Sequence, residues 1–233
     1  MSVTRAAAGS DTLQHADEET ARTEYLGEHF NTLEQQHSAS ELGMWIFLAT
    51  ELMLFGGLFT AYTVYRTIYS AGFAEGSRHL DLVYAAINTL VLITSSLTMS
   101  LGVWASQLGD RRALVRSLGA TAVLGLVFIA IKALEYQKHF AEGMVPGLAW
   151  TFDGELANQV QLFFFAYFAM TGLHTVHLAL GILLVLVMAF MAAKGAFVAE
   201  GHTPVEMLGL YWHFVDAIWI FLFPLLYLFG LNS

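Results

Sequence analysis

Five stretches of the chain, near residues 43–65, 82–106, 114–134, 160–192 and 207–230, are predominantly apolar. Each reaches the ~20 residues that an α-helix needs to cross the hydrocarbon of a bilayer. This pattern constrains the fold more than any other feature. Inside a membrane every backbone N–H and C=O must be satisfied by the protein, so only helices and closed barrels span. A barrel strand alternates apolar and polar residues, and none of the five stretches does. The expected fold class is therefore all-α, a polytopic membrane protein built as a bundle of five transmembrane helices. The fourth stretch is too long for one bilayer thickness, so its end near Gln161 is expected to stand clear of the hydrocarbon or to tilt.

Composition agrees: 57% of the residues are hydrophobic and 12% charged, against about half and about a quarter in a soluble domain. The net charge of -9 is concentrated at the start. Residues 1–41 hold eight acids against Arg5 and Arg22. The division expected is an acidic polar segment, 1–41, followed by a transmembrane domain, 42–233. The segment has neither the basic start nor the apolar run of a signal peptide, so the first span is expected to insert the chain. Tyr25, Leu26 and Phe30 could give this segment an apolar docking face. The chain has no cysteine, which removes thiolate chemistry, and no basic patch suited to nucleic acid.

The connections 66–81, 107–113, 136–159 and 193–206 carry glycine, proline and charge. With five spans, the N-terminus shares a side with the second and fourth of them. That side carries Arg22, Arg111, Arg112, Arg116 and Lys194, and the other carries Arg66, Arg78, Lys132 and Lys138. The excess places the N-terminus in the cytoplasm and Ser233 outside. Trp45, Trp104, Trp150 and Trp212 fall at span ends or in loops, where an interfacial aromatic belt is expected.

Ionisable residues at membrane depth are costly and usually face protein. Glu51 lies about 12 Å into the first span at 1.5 Å per residue, among Leu48, Leu52 and Phe55. It reads either as a proton-accepting or headgroup-contacting carboxyl, or as a hydrogen-bonded one that locks two helices. His174 and His177, three apart, share a face of the fourth span, and His213 and Asp216 repeat the spacing on the fifth. Two such pairs could offer ligands to a metal, but three helices would have to converge, and the spacing does not require it. Asn88 and Ser95, seven apart, mark a helix-packing stripe. Lys132 and Glu135 either pair or leave Lys132 to snorkel to the surface.

Taken in order, these segments resemble subunit III of the cytochrome c oxidases and their quinol-oxidising relatives. The first span reads LGMWIFLATELMLFGGLFTAY, the second NTLVLITSSLT, the third ends LEYQ, the fourth reads TGLHTVHLALG and the fifth YWHFVDAIWIFLF. The resemblance covers roughly residues 40–230 and is closest to the short five-helix bacterial form, without the first two helices of the longer one. Lys132 stands where the family pattern suggests glutamine. The resemblance implies a subunit that binds no redox cofactor itself, with haem and copper in partner subunits I and II. It implies packing on subunit I, bound phospholipid, and support of proton uptake and stability in a proton-pumping haem-copper terminal oxidase of aerobic respiration. A small fourth subunit is a further candidate partner. Carried over by position, Glu51, His174 and His177 become the lipid- or proton-associated residues. Asn88, Ser95, Lys132, Glu135, His213 and Asp216 become polar packing residues. The expected location is the bacterial inner membrane. Rival readings are an accessory subunit of a quinol oxidase or nitric oxide reductase, a membrane metalloenzyme, and a free-standing proton-coupled transporter. The last would be expected to show inverted repeats and broken helices, which the sequence does not display.

Overall fold

The computed structural model describes residues 32–147, 149–195 and 203–228. Five helices in it are long and apolar enough to cross a membrane. The first, α1, runs Leu33–Ile68 and begins ten residues before the apolar stretch does. Thr32 caps it, its hydroxyl accepting from the Gln35 amide at 3.1 Å, and Glu34 sits in the first turn, where the helix dipole favours an acid. Residues 33–41 of the acidic segment are therefore helical. Residues 1–31, with Tyr25, Leu26 and Phe30, lie outside the described residues.

The connection expected at 66–81 folds instead into a nine-residue helix, α2, Ser70–Arg78. Its glycines read as loop punctuation, but they serve close packing. A Cβ at Gly72 would collide with Gln159, and one at Gly76 would lie 2.5 Å from Phe163 Cδ1.

Helix α3 spans Leu82–Gln107 and α4 spans Arg111–Ala141. The turn between them needs Gly109 at φ 71°, and Asp110 caps α4 by accepting from the amides of Arg112 and Ala113, both at 3.0 Å. The 136–159 region is more ordered than a loop. It completes α4 and then forms a two-residue antiparallel hairpin, β1 Met144–Val145 against β2 Ala149–Trp150. Helix α5 follows at Ala157–Ala193. Its 37 residues extend about 55 Å, well beyond the ~30 Å hydrocarbon core. Arg111 Nε closes its far end on the Ala192 carbonyl at 3.0 Å. Helix α6 runs Thr203–Phe223 and widens into a π-helical turn, Pro224–Leu228. Proline lacks the amide hydrogen and clashes with the carbonyl four residues back, so the widened turn falls where the sequence demands a break.

Helix α4 packs between α3 and α5, α6 packs on α1, α3 and α5, and α2 lies against α5. Half of the α6 span is buried in the bundle but only 11% of the α1 span. Helix α6 is therefore the axis and α1 an outer helix. Three polar contacts at three heights hold α1: His37 Nδ1 to Thr203 Oγ1 at 3.2 Å, Glu51 to His177 at 2.9 Å, and Tyr62 Oη donating to the Leu225 carbonyl at 3.1 Å.

The aromatic belt needs one correction. Trp45 and Trp104 are exposed, but Trp212 is buried. Because α6 begins at Thr203, Trp212 sits about 14 Å into the helix and donates to Ser95 Oγ at 3.2 Å. Gly125 on α4 and Gly181 on α5 leave room for it: a Cβ at either would come within 3.0 Å and 3.2 Å of its ring.

Candidate functional site

The intramembrane polar residues named above lie in three groups. The first joins α1 to α5. Glu51 Oε2 lies 2.9 Å from His177 Nε2, and His177 Nδ1 lies 2.8 Å from the Leu173 carbonyl. A carbonyl only accepts, so Nδ1 carries a hydrogen. The contact to Glu51 then has two forms: a protonated carboxyl donating to neutral imidazole, or an imidazolium donating to carboxylate. In either form the pair holds one shared proton and no net charge. Phe55 meets the imidazole edge-on at 5.3 Å, and Tyr211 Oη donates to the His177 carbonyl at 2.9 Å. Both side chains remain slightly exposed, so the pair sits at the rim of the bundle rather than at its centre.

The second group is fully buried toward the C-terminal end of α4. Lys132 Nζ donates to Glu135 Oε2 at 3.0 Å, to Tyr167 Oη at 3.0 Å and to Tyr227 Oη at 2.8 Å. Tyr167 and Tyr227 in turn donate to Glu135 Oε1 at 2.8 Å and 2.6 Å. An ammonium has three protons, and all three are used. Lys132 therefore does not snorkel to the surface. Its charge also lies 4.9 Å from the Tyr167 ring and 5.2 Å from that of Trp219. Beside this network, Tyr136 donates to Thr171 Oγ1 at 2.6 Å, since the Thr171 hydroxyl is itself donated to the Tyr167 carbonyl. Nothing in the pattern of the spans singles out Tyr167 and Tyr227. Phenols in long apolar spans carry no periodicity, and the π-turn that aims Tyr227 inward is invisible without the fold.

The third group lies along α3 and α6. His213 Nδ1 is 2.7 Å from Ser96 Oγ, and its Nε2 is 3.3 Å from Ser100 Oγ. Ser95 receives the Trp212 indole. Asn88, His174 and Asp216 are buried, and their polar side-chain atoms have no hydrogen-bond partner in the structure. His174 does not join its neighbour His177. It turns into an aromatic pocket, 5.6 Å from Phe128 and 5.2 Å from Trp219. His177 meets Glu51, but His174, His213 and Asp216 do not join them. Among the described residues no three His, Asp or Glu side chains gather as metal ligands would.

Fold and interior together define a class: a multi-pass membrane protein of five spans, in which the Lys132–Glu135 and Glu51–His177 pairs tie helices together. Comparison with known proteins makes the class particular. Residues 12–231 match the family model described as cytochrome c oxidase subunit III. Cytochrome c oxidase subunit 3 of Synechocystis is 35% identical over 187 residues, covering 80% of this chain and 74% of that protein. The subunit of the same name from Thermostichus vulcanus is 36% identical over 188 residues, covering 80% and 86%. Cytochrome bo(3) ubiquinol oxidase subunit 3 of Pseudomonas aeruginosa is 30% identical over 188 residues, covering 81% and 84%. The chain belongs to the cytochrome c oxidase subunit III family. It is an accessory subunit of a haem-copper oxidase complex, and its membrane helices are those of that family.

Proposed function

We propose that the chain is subunit III of a proton-pumping cytochrome c oxidase in a bacterial inner membrane. In this reading it packs on subunit I, with subunit II and a small fourth subunit completing the complex. Haem and copper reside in the partners. The chain contributes bound phospholipid, steady proton uptake and durability of the catalytic core. Residues 1–41 form an acidic segment on the cytoplasmic side that docks a partner, and the chain ends outside. The arginines 111, 112 and 116 clustered beside the turn between α3 and α4 favour that orientation. The family match over residues 12–231 is the observation that carries the reading.

Glu51 and His177 are the site where lipid and proton handling meet in this proposal. A pair that holds one proton at the rim of the bundle can exchange it with a headgroup or with the facing subunit while staying neutral. His174 contributes by packing on Trp219, and Asn88, Ser95, Lys132, Glu135, His213 and Asp216 hold helices together.

Purification through a tag on this chain in mild detergent tests the assignment. Haem absorbance arriving with a large copper-binding partner supports it, and a colourless, partnerless protein overturns it. The bo(3) relatives favour one alternative, a quinol oxidase. Turnover of the purified complex with reduced cytochrome c against ubiquinol separates the two.

A further inference from the structure

One of the buried acids placed among the helix-packing residues lacks the hydrogen bonds that packing alone would give it. Asp216 is 4% exposed, and neither carboxyl oxygen has a hydrogen-bond partner. The hydroxyl that faces it belongs to Ser96, which is engaged by His213 Nδ1 at 2.7 Å. Ser96 has one hydroxyl hydrogen for both His213 Nδ1 and Asp216, so at least one oxygen of a carboxyl at membrane depth needs a further donor, which water in an adjoining space would supply.

The groove between α3 and α6 supplies the space. A cavity of about 270 Å³ is lined by Asp216, Thr89, Ser96, Ser100 and Trp219 together with aliphatic side chains. A second, of about 320 Å³, is lined by Ser100 and His213 and continues to His37, Glu41, Gln107 and Glu206. The two share Ser100. His213 touches both serines and stands where they meet. The mouth lies beside the start of α6 and the turn between α3 and α4. Asp216 lies ten residues further along α6 than Glu206, about 15 Å deeper. A buried water, which takes up roughly 30 Å³ in the liquid, needs two to four polar partners, and the hydroxyls, the imidazole and the carboxyl line the groove to provide them. The column closes at Trp219. Its indole donates to Thr89 Oγ1 at 3.0 Å, and its ring packs edge-on against Phe128 at 4.8 Å. Beyond it stands the saturated Lys132 network.

We propose that the α3–α6 groove is a water-filled half-channel that opens at the membrane surface beside the α3–α4 turn and ends at Asp216, a proton-binding carboxyl in exchange with that surface. The titratable groups along it are His213, one turn from Asp216 on α6, and His37, Glu41 and Glu206 at the mouth. Helix α3 contributes no titratable side chain, α5 reaches the site only as His174 beside Trp219, and neither α1 nor α4 places a charge on the deeper cavity. The inference needs only that the chain spans a membrane. It does not depend on the identity of the electron donor or on the role given to Glu51.

Because the chain has no cysteine, single cysteines can report water access in the assembled complex in membrane vesicles. The probe is a charged, membrane-impermeant methanethiosulfonate, which attacks thiolate and so requires water. Ser100→Cys and Ser96→Cys are expected to react roughly tenfold or more faster than Leu90→Cys on the outward face of α3, and only from the side of the α3–α4 turn. Infrared spectra of the same complex should show a protonated-carboxyl band that grows as pH falls, shifts within minutes in D₂O and is missing in Asp216→Asn. Serine variants as inert as Leu90→Cys would mean that a lipid chain or partner segment fills the groove, and would overturn the proposal. So would an Asp216 band that never appears or that resists exchange.

Discussion

Lys132 Nζ and Glu135 Oε2, less than one helical turn apart on α4, stand 3.0 Å from each other, and Tyr167 and Tyr227 close the arrangement from α5 and the π-turn. Buried ion pairs are asymmetric in their energetics: removing one partner strands the other, while removing both can be harmless. Lys132→Met is therefore expected to destabilise the subunit by about 3–5 kcal/mol. Lys132→Met combined with Glu135→Leu should recover much of that loss. Thermal release of the subunit from the complex, measured for both variants, checks the ordering. Equal losses in the two would show that the pair is not the unit.

Tyr227→Phe removes the shortest bond to Glu135 Oε1, at 2.6 Å, and one acceptor for Lys132. Leaving buried polar groups short of a partner costs about 1–3 kcal/mol. The variant should lose stability by that amount, and Tyr167→Phe by a similar one. Because both phenols serve the same carboxylate, the double variant should depart from additivity.

Glu51→Gln keeps a donor for His177 Nε2 but removes the shared proton. Assembly is expected to remain intact while phospholipid content or proton uptake changes. Glu51→Ala leaves His177 without its partner and should loosen α1 as well. Phosphorus analysis with proton-pumping traces on both complexes separates the effects. Wild-type lipid and wild-type pumping in Glu51→Gln would count against a role for the pair beyond structure.

Gly125 and Gly181 make the space that Trp212 occupies. Gly125→Leu is expected to force Trp212 or Ile182 aside at about 1–3 kcal/mol, the usual range for overpacking. Trp212→Phe loses the bond to Ser95 and should partly relieve Gly125→Leu. Tryptophan fluorescence and melting of the variants read both effects.

The five spans were legible because bilayer thickness imposes a length that no other property overrides. Their ends were less so. Capping by Thr32 and Asp110, and the charge tolerated in overhanging turns, carried α1 and α4 beyond their apolar stretches. Helix α2 was hidden because Gly72 and Gly76 signal flexibility in isolation and close packing only beside Gln159 and Phe163. The i, i+3 spacing put Lys132 next to Glu135, but could not tell that His174 and His177 would part company. Three residues separate them by about 60° around a helix, enough for one to face α1 and the other Trp219. The tyrosines that complete the Lys132 network come from two other elements, and no local pattern joins them.

Helix α1 buries little surface, yet its contacts with Thr203, His177 and Leu225 are spaced along most of its length. Against lipid, apolar contact alone lets a helix slide, since one methyl is as good a neighbour as another. Three polar latches do not. A shift of a single residue would unfasten all of them together, so the outermost helix is indexed to the rest of the molecule like a key cut with three teeth. Thickening or thinning of the surrounding bilayer should then move the bundle as one piece rather than shear its outer wall.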